Sequence, residues 1–436
     1  MPESCFGAIF SCPSSESFSF GKRGSRRQFK RLVKSLRHLL IAALFALPVR
    51  LGAQSVISNT VIVPLHYKTI ASGGQKLGIY ASLGGGSTPQ IFEFDTGGGG
   101  FYAAYASADT NKSRWWGTNF SYTGSDVTNT YDSGIQYQGA IVTASVSLFS
   151  DHNSSSPLVT TAGDLRVGQM TSITNTTSGG AALWTPGGEG TTNTPPVDEA
   201  FYGDFGMNLA YTHSGIVNLI AQLSFTNGIA PGFRIRAYGD SPYMQIGLTA
   251  ADTNSASAFY FGMNADTNAP PGSTFTNSRS LFYSEQVFNA NMTISNATTN
   301  FTTNLGITTD TGASTTIHNA DVGGIPEALY TTNSEGKGHL VAGADFGLSG
   351  MTLGGTNSEF FEFVTTAGQV SVQDNKTNNT LFYLNSGISL FQQYDVIYNL
   401  QDGQIGFEAV PEPRTWALLA LGGLLLALAS VRRRAS

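Results

Sequence analysis

Two aspartates, Asp95 and Asp310, each begin an Asp-Thr-Gly sequence that follows a short run of strand-forming residues, 91–94 and 306–309. Two carboxyl groups that face each other cannot both ionise comfortably, so one pKa falls and the other rises. The ionised group then activates a water as a general base, and the protonated group polarises a carbonyl. Asp95 and Asp310 are therefore candidates for the two halves of one active site that could activate a water, with the role of general base open to either.

The neighbours of the two aspartates suit such a site. Gly97 and Gly312 allow the tight backbone turns that would bring two loops together. A single Asp-Thr-Gly is most often a plain turn, and chance supplies one easily in a chain this rich in Thr and Gly. The hypothesis therefore depends on the elements around the two copies.

Composition favours an all-β protein with many turns. The chain has 436 residues, of which 51 are Gly and 12% are charged, and Thr, Ser and Asn are abundant. β-branched and aromatic residues fit pleated sheets, while Gly and Asn form turns. At 41% hydrophobic residues the chain is too apolar to be disordered.

Charge and cysteine usage exclude several classes of function. Residues 54–410 contain 10 Lys and Arg against 26 Asp and Glu. Such an acidic surface repels phosphate backbones, so we expect no nucleic-acid partner. Both cysteines, Cys5 and Cys12, precede this body, which excludes a disulfide or a thiolate metal site within it. The histidines form no His-Glu-x-x-His motif, and we predict no metal and no cofactor.

The first 53 residues have the pattern of a secretory signal peptide with a long basic n-region. A basic run at 22–37 precedes the apolar segment 39–47, which is too short to span a bilayer comfortably. The small residues Gly52 and Ala53 then offer a cleavage point. The alternative is a basic amphipathic helix.

The last residues, 410–436, have the pattern of a sorting signal. Residues 411–413 read Pro-Glu-Pro, an apolar segment follows at 416–430, and arginines fill 432–434. This order resembles the PEP-CTERM signal of Gram-negative bacteria, which implies an exosortase-type processing enzyme as a partner. The arginines would hold this end on the cytoplasmic side while the body lies outside. We expect an exported cell-surface or extracellular protein, anchored by this segment transiently or finally; an ordinary C-terminal anchor is the alternative.

Between these ends, the chain resembles the pepsin-like (family A1) aspartic peptidases. The matching parts, in chain order, are Phe-Asp-Thr-Gly at 94–97, a flap-like hairpin at 129–142, a strand-loop stretch at 198–207, the second Asp-Thr-Gly at 310–312 and the closing strands at 390–407. The resemblance implies an all-β, bilobal pepsin-like fold with few short helices. Its N-terminal lobe would be 54–236 and its C-terminal lobe 237–409.

The resemblance also implies roles for individual residues. Thr96 and Thr311 would exchange hydrogen bonds with the opposite loop and, with the two glycines, support the pair of aspartates. Tyr131 and Gly134 would belong to a flap that covers a peptide or protein substrate. We expect a monomeric aspartic-type endopeptidase.

Three departures from the family pattern keep an alternative open. Many members have Ser or Thr directly after each Asp-Thr-Gly, whereas this chain has Gly98 and Ala313, and Asp132 replaces the first flap glycine. The lost hydroxyls predict weaker stabilisation of the ionised carboxylate and a less acidic optimum than that of pepsin. The alternative is a catalytically weak or inactive binding or structural protein of the cell surface or extracellular matrix.

Two local expectations complete the interpretation. Apolar residues at helical spacing predict a helix over 215–223. The polar segments 151–193 and 250–277 are expected to be surface loops or additional hairpins.

Overall fold

The computed structural model describes residues 56–105, 115–185, 195–332, 338–374 and 381–410. All of them belong to the compact unit Ala53–Ser436. The predicted signal peptide, 1–53, and all but Val410 of the predicted sorting segment, 410–436, lie outside the described residues. Within the described part, no helix is long and apolar enough to cross a membrane.

Strands dominate the described chain. The first fourteen are β1 (Val56–Ile57), β2 (Val61–Pro64), β3 (His66–Thr69), β4 (Gln75–Leu83), β5 (Gln90–Asp95), β6 (Phe101–Ala104), β7 (Phe120–Thr130), β8 (Ile135–Ala144), β9 (Val146–Phe149), β10 (Val159–Thr160), β11 (Arg166–Asn175), β12 (Ala181–Trp184), β13 (Gly203–Gly206) and β14 (Ser224–Phe225). The others are β15 (Ala230–Arg236), β16 (Tyr243–Leu248), β17 (Ala258–Gly262), β18 (Phe288–Ser295), β19 (Asn300–Thr308), β20 (Thr316–His318), β21 (Tyr330–Thr332), β22 (Gly338–Leu340), β23 (Asp345–Met351), β24 (Asn357–Val364), β25 (Ser371–Val372), β26 (Tyr383–Asn385), β27 (Tyr394–Asn399) and β28 (Gln404–Ala409).

Helices are few and short. The α-helices are α1 (Ala250–Thr253), α2 (Ala320–Gly323) and α3 (Gly387–Gln393), and the 3₁₀ turns are Thr176–Ser178, Ile220–Gln222 and Glu327–Leu329. The helix predicted over 215–223 is wrong, because only Ile220–Gln222 is helical there. The side chain of Asn218 accepts hydrogen bonds from the backbone N–H groups of Ile220 and Ala221, so it caps the N-terminal end of this turn, and Leu223 is already extended at the other end. The apolar residues around it are buried on all sides, so their spacing did not mark one helix face.

The strands form three large sheets and one small pair. The eleven-stranded sheet has the order β10-β9-β4-β5-β13-β6-β11-β8-β7, with β3 on β4 and β12 on β11. The nine-stranded sheet has the order β21-β22-β25-β20-β26-β19-β18-β23-β24. The six-stranded sheet, β17-β28-β27-β15-β16-β2, combines early and late strands, and β1 pairs with β14. The eleven- and nine-stranded sheets are the bodies of the two lobes.

Burial patterns explain why these segments are strands. In β18 the buried Phe288, Ala290, Met292 and Ile294 alternate with more exposed polar residues, as expected for a sheet with one covered face. In β5, by contrast, four successive residues are buried, because this strand lies inside the lobe with both faces covered. The continuous run of buried residues before Asp95, which includes Glu93, therefore reflects a central strand.

An internal repeat links the two large sheets. In the first, β13 runs parallel to β5 and antiparallel to β6. In the second, β26 runs parallel to β19 and antiparallel to β20. With strands at 49% and helices at 7%, this duplicated topology confirms the predicted all-β, bilobal pepsin-like fold with few short helices. The lobe boundary after Arg236 stays a prediction.

The polar segment 151–193 is more than a surface insert. Its strand β11 lies inside the eleven-stranded sheet, parallel to β6 and antiparallel to β8. Val167, Met170 and Ile173 are completely buried there. The expectation of loops or additional hairpins therefore holds for β12, which pairs with β11 at the sheet margin, but not for β11 itself.

Candidate active site

Each candidate aspartate lies where a central strand gives way to a loop. Asp95 is the last residue of β5, and Asp310 follows β19 by two residues. In each loop, the backbone N–H of the glycine two residues later donates to the aspartate Oδ1, at 2.8 Å for Gly97 and 2.7 Å for Gly312. The two Asp-Thr-Gly sequences therefore fold in the same way and orient their carboxyl groups alike.

The threonines of the two loops interlock. The Thr96 backbone N–H donates to Thr311 Oγ1 at 3.1 Å, and the Thr311 backbone N–H donates to Thr96 Oγ1 at 2.9 Å. Thr311 Oγ1 also donates to the backbone oxygen of Phe94 at 2.7 Å. Both threonines are buried, so each lost bond would leave a buried polar group without a partner. The exchange that the resemblance implied is present in the structure.

A tyrosine from the six-stranded sheet hydrogen-bonds to both loops. The Tyr398 hydroxyl lies 2.7 Å from Thr309 Oγ1 and also hydrogen-bonds to Thr96. Burial raises the pKa of Tyr398 above its ordinary value, so this hydroxyl stays neutral. The closing strands therefore contact the site directly through β27.

The two loops approach so closely that only glycine fits after each threonine. A Cβ on Gly97 would lie 2.5 Å from Asp310 Cγ, and one on Gly312 would lie 2.7 Å from Asp95 Cγ. Contacts this short are essentially never made by real side chains, and the atoms they meet belong to the opposite aspartate. The need for Gly97 and Gly312 is thus steric.

The carboxyl groups of Asp95 and Asp310 share a hydrogen bond. Asp310 is buried, at 8% exposure. Burial, the charge of Asp95 and the hydrogen bond with Asp95 raise the pKa of Asp310 well above its ordinary value. The arrangement therefore favours a pair that holds one proton at a pH where isolated carboxyls would both be ionised.

Asn385 stands beside Asp310 and was missed by sequence reasoning. Its Nδ2 donates to Asp310 Oδ2 at 2.6 Å, and its Oδ1 accepts from the Gly387 backbone N–H at 2.9 Å. The hydrogen bond from Asn385 favours the ionised form of Asp310 and partly offsets the effect of burial on its pKa.

Asp204 occupies the corresponding place beside Asp95 and was also missed. A Cβ on Gly98 would lie 2.6 Å from Asp204 Oδ2 and 2.9 Å from Asp95 Oδ2. Burial, the charge of Asp95 and the charge of Glu93 raise the pKa of Asp204 well above its ordinary value. Asp204 Oδ1 is buried and has no hydrogen-bond partner among the described residues. The space that a hydroxyl-bearing residue 98 would use is therefore filled by a second buried acid.

A signal for both residues exists in the sequence. Asp204-Phe205-Gly206 and Asn385-Ser386-Gly387 each place a polar residue two positions before a glycine.

The structure places Tyr131 at the tip of the β7–β8 hairpin. Its backbone N–H donates to Ile135, and its hydroxyl donates to Asp204 Oδ2. Its ring also packs edge-on against Tyr137, with 5.5 Å between the ring centroids. Burial and the charge of Asp204 raise the pKa of Tyr131 well above its ordinary value, so the phenol is a stable donor. The hairpin tip thus contacts Asp204, beside Asp95, through the side chain of Tyr131.

The same hairpin tip is supported from its other side. The backbone oxygen of Gly134 accepts from both the backbone N–H and the Oγ1 of Thr176, at 2.8 and 2.9 Å. Strand β11 pairs with β8 as far as Asn175 opposite Ile135, next to the turn. The hairpin is therefore part of a wider sheet rather than a free two-stranded ribbon.

Behind Asp95, the first lobe contains a partly buried ion cluster. Lys76 Nζ lies 2.7 Å from Glu93 and 2.9 Å from Asp198. Burial, with the charge of Asp95, raises the pKa of Glu93 to about 7 against the attraction of Lys76. Burial opposes the charge on Lys76, but Glu93 and Asp198 outweigh it and raise its pKa. Asp95 therefore has acids near it other than Asp310, the one that the sequence singled out as its partner.

The described residues contain no group of three or more His, Cys, Asp or Glu side chains that could hold a metal ion. The side chains of Asp95 and Asp310, at the meeting point of the two loops, are carboxyl groups, which can transfer protons.

Comparisons with known proteins give matches among solved structures only. No protein-family model and no curated protein matches the chain. Among solved structures, 383 chains match. One of them, the aspartic proteinase from Irpex lacteus, has 15% sequence identity and a TM-score of 0.48, over 81% of this chain and 98% of that chain. The assignment of chemistry to this chain therefore depends on its own side chains.

Proposed function

We propose that the protein is an aspartic-type endopeptidase of the pepsin-like family A1. One observation supports this proposal above all others. Two buried loops hold Asp95 and Asp310 in hydrogen-bond contact, and each loop is fixed by a threonine of the other. Such a rigid pair is suited to hold one shared proton and to act on a water between the two carboxyl groups.

In the proposed mechanism, Asp310 carries the proton and Asp95 is the general base. The raised pKa of Asp310 supports this division of roles. The water oxygen attacks the peptide carbonyl carbon while its proton moves to Asp95, and the Asp310 proton moves to the carbonyl oxygen. The resulting diol collapses, its C–N bond breaks, and the leaving nitrogen takes the proton from Asp95. Returning one diol proton to Asp310 restores the starting state.

The flap hairpin would cover the bound peptide. Tyr131 reaches the floor of the site from the hairpin tip, and Gly134 forms part of the turn at that tip. An extended peptide would lie between the hairpin and the two loops and form strand-like backbone hydrogen bonds. Tyr131 would then keep water away from the reacting atoms, apart from the one water molecule that attacks.

A second candidate function is supported by a specific observation. Neither Gly98 nor Ala313 offers a hydroxyl to the aspartates, and the Tyr131 side chain is bonded to Asp204. A site closed in this way would suit a catalytically weak or inactive binding or structural protein of the cell surface or matrix.

Digestion of casein by the purified chain, with and without pepstatin, separates the two candidates. The proposal predicts pepstatin-sensitive cleavage by the wild type and a loss of at least about 1,000-fold in Asp95→Asn, in line with removal of a general base. Asp95→Asn changes no side-chain size, so an unchanged melting temperature would assign the loss to chemistry. Binding of peptides without any cleavage would instead support the second candidate.

We also propose that the protein is exported and acts as a monomer at the cell surface or outside a Gram-negative bacterium. The basic and apolar pattern of 1–53 and the Pro-Glu-Pro, apolar and arginine order of 410–436 support this proposal. An exosortase-type enzyme would process the second segment, and a peptide or protein would be the substrate. Mass spectrometry of the mature chain from its host tests both ends.

A further inference from the structure

Asp204 and Asn385 lie at equivalent positions of the internal repeat. Asp204 pairs with Glu93, two residues before Asp95, across the parallel strands β13 and β5. Asn385 pairs with Thr308, two residues before Asp310, across the parallel strands β26 and β19. Each side chain therefore reaches its aspartate from the same direction, although 181 residues of chain separate them.

The amide of Asn385 has only one orientation that satisfies its surroundings. Because its Oδ1 accepts from the Gly387 backbone N–H, its Nδ2 must face Asp310 Oδ2. An amide nitrogen donates and cannot accept, so this contact always favours an ionised Asp310. The amide thus serves Asp310 as a hydroxyl on residue 313 would.

Asp204 differs from Asn385 in being able to titrate. Its Oδ2 accepts a hydrogen bond from Tyr131 and occupies the space that a side chain on residue 98 would need. Its Oδ1 has no partner among the described residues, and the residue is only 3% exposed. A buried carboxyl with an unpaired oxygen is far more stable neutral than ionised.

We propose that Asp204 and Asn385 are positioning residues that replace the two hydroxyls missing at 98 and 313. Asn385 is the fixed donor to Asp310, and Asp204 is a neutral acid that lies beside Asp95 at Gly98 and accepts a hydrogen bond from the flap tyrosine Tyr131. The inference rests on the proposed peptidase function, which it deepens by adding two supports to the same site.

The electrostatic surroundings of Asp204 give its ionisation a consequence. Charged and titratable groups face it from the neighbouring strands and the flap; they are Lys76 on β4, Glu93 and Asp95 on β5, Tyr102 on β6, Tyr131 at the hairpin tip and Tyr137 on β8. Of these only Lys76 is positive. If Asp204 ionises as the pH rises, it places a negative charge beside Asp95 and impairs the pair.

Two isosteric exchanges should therefore move the pH dependence of activity in opposite directions. Asp204→Asn keeps an acceptor for Tyr131 and never ionises, so the alkaline limb of the kcat/KM profile should move up by about half a pH unit or more. Asn385→Asp introduces a partly buried carboxyl beside Asp310, with Tyr383 on the same strand. While protonated it donates as the amide does, so activity should survive at low pH.

As the pH rises, the carboxyl introduced by Asn385→Asp must ionise against Asp310. The alkaline limb should then move down by about one pH unit or more, and kcat above it should fall about 10- to 100-fold, as for loss of a hydrogen bond to a charged group. KM should change less than kcat, because the contact serves the reacting carboxyl rather than the substrate.

Asn319→Asp is a matched control. Asn319 is a buried amide in the same lobe, but its Nδ2 donates to the backbone oxygen of Leu381. The general cost of burying an acid should lower its melting temperature as the pH rises, without moving the alkaline limb of activity.

Melting temperature against pH is a readout that needs no activity. An acid whose folded pKa is raised contributes stability at low pH that is lost as the pH rises. Relative to wild type, Asn385→Asp should therefore melt lower as the pH rises, and Asp204→Asn should melt higher. If the wild type cleaves nothing, the proposed function fails, while opposite melting trends would still support the pairing of these residues.

Opposite shifts of the alkaline limb, with none in Asn319→Asp, support the inference. Alkaline limbs like that of the wild type in both Asp204→Asn and Asn385→Asp would overturn it. A fall in activity at all pH values with an unmoved limb would also overturn it, since that pattern indicates a packing defect only.

Discussion

The two halves of the site share one backbone arrangement but differ in what stands behind each aspartate. Behind Asp95, the register positions are filled by Glu93 and Asp204, both buried acids with raised pKa values. Behind Asp310, the equivalent positions are Thr308 and Asn385, which do not titrate. The first half therefore responds to pH, and the second half holds its carboxyl with a fixed donor.

The two halves therefore share their loop geometry but not their electrostatics. The glycines and threonines of the loops are equivalent because both loops must approach the same point. The residues behind them face only their own aspartate, so they are free to diverge. Such divergence assigns different tasks to two carboxyl groups that have the same loop sequence.

Loss of either catalytic carboxyl group should lower activity to the same extent. Asp95→Asn and Asp310→Asn should each lower kcat by about 1,000-fold or more, and the double variant should lose little beyond either single one, because the pair acts as a unit. Single-turnover cleavage of one peptide checks this. A residual rate within about tenfold of wild type in one variant would show that only the other aspartate is catalytic.

Among the residues that lie behind the two aspartates, only those of the first half should make stability depend on pH. The pKa of Glu93 is raised to about 7, so its contribution to stability is present below its ordinary pKa and is lost as the pH rises through 7. At ~1.4 kcal/mol per pKa unit, this component is about 3 kcal/mol at most.

Glu93→Gln should therefore flatten the decline of unfolding free energy between about pH 4.5 and 7, measured by urea titration. Thr308→Val is the control from the second half, since Thr308 Oγ1 is buried without a hydrogen-bond partner among the described residues. A decline of wild-type steepness in Glu93→Gln would contradict the assignment.

The interlocking threonines should again behave alike in the two halves. Thr96→Val and Thr311→Val each leave a buried backbone N–H of the opposite loop without its acceptor, and each should cost about 2 kcal/mol of unfolding free energy. Chemical denaturation gives both values. A cost below about 0.5 kcal/mol for either would show that the loops are held mainly by other contacts.

The smallest predicted effect separates two adjacent glycines. Gly98→Ala brings a methyl group against Asp204 and Asp95 and should cost about 1 to 2 kcal/mol, whereas Gly99→Ala meets no atom within 4 Å. Adding Asp204→Ala to Gly98→Ala should recover part of the lost stability. Equal melting temperatures for the two single variants would mean that Asp204 does not occupy the space beside residue 98.

The sequence predicted the local parts of the site better than the long-range ones. The Asp-Thr-Gly loops and the hairpin tip at Tyr131 are contiguous segments whose turn and strand residues mark them. Asp204 and Asn385 depend on the register of parallel strands that are distant in sequence, and the polar-x-Gly pattern that they share is too short to reveal that register. Strand β11 was taken for surface because its segment is polar, yet its few apolar residues all face inward.

The helix expected over 215–223 shows the same limit from another side. Helical spacing of apolar residues indicates a helix only where one face is buried. Here Ile216, Leu219 and Leu223 are buried within a turn that Asn218 caps. Burial on every side removes the information that the spacing would carry.

The pH dependence of kcat/KM for the wild type tests the central claim most directly, because the proposed reaction needs one proton on two carboxyl groups. The account predicts pepstatin-sensitive cleavage of a peptide library with a bell-shaped profile and an optimum well above that of pepsin, since burial raises the pKa of both Asp310 and Asp204. An optimum at about pH 2, or no pepstatin-sensitive cleavage from about pH 2 to 8, would contradict a catalytic pair with one shared proton.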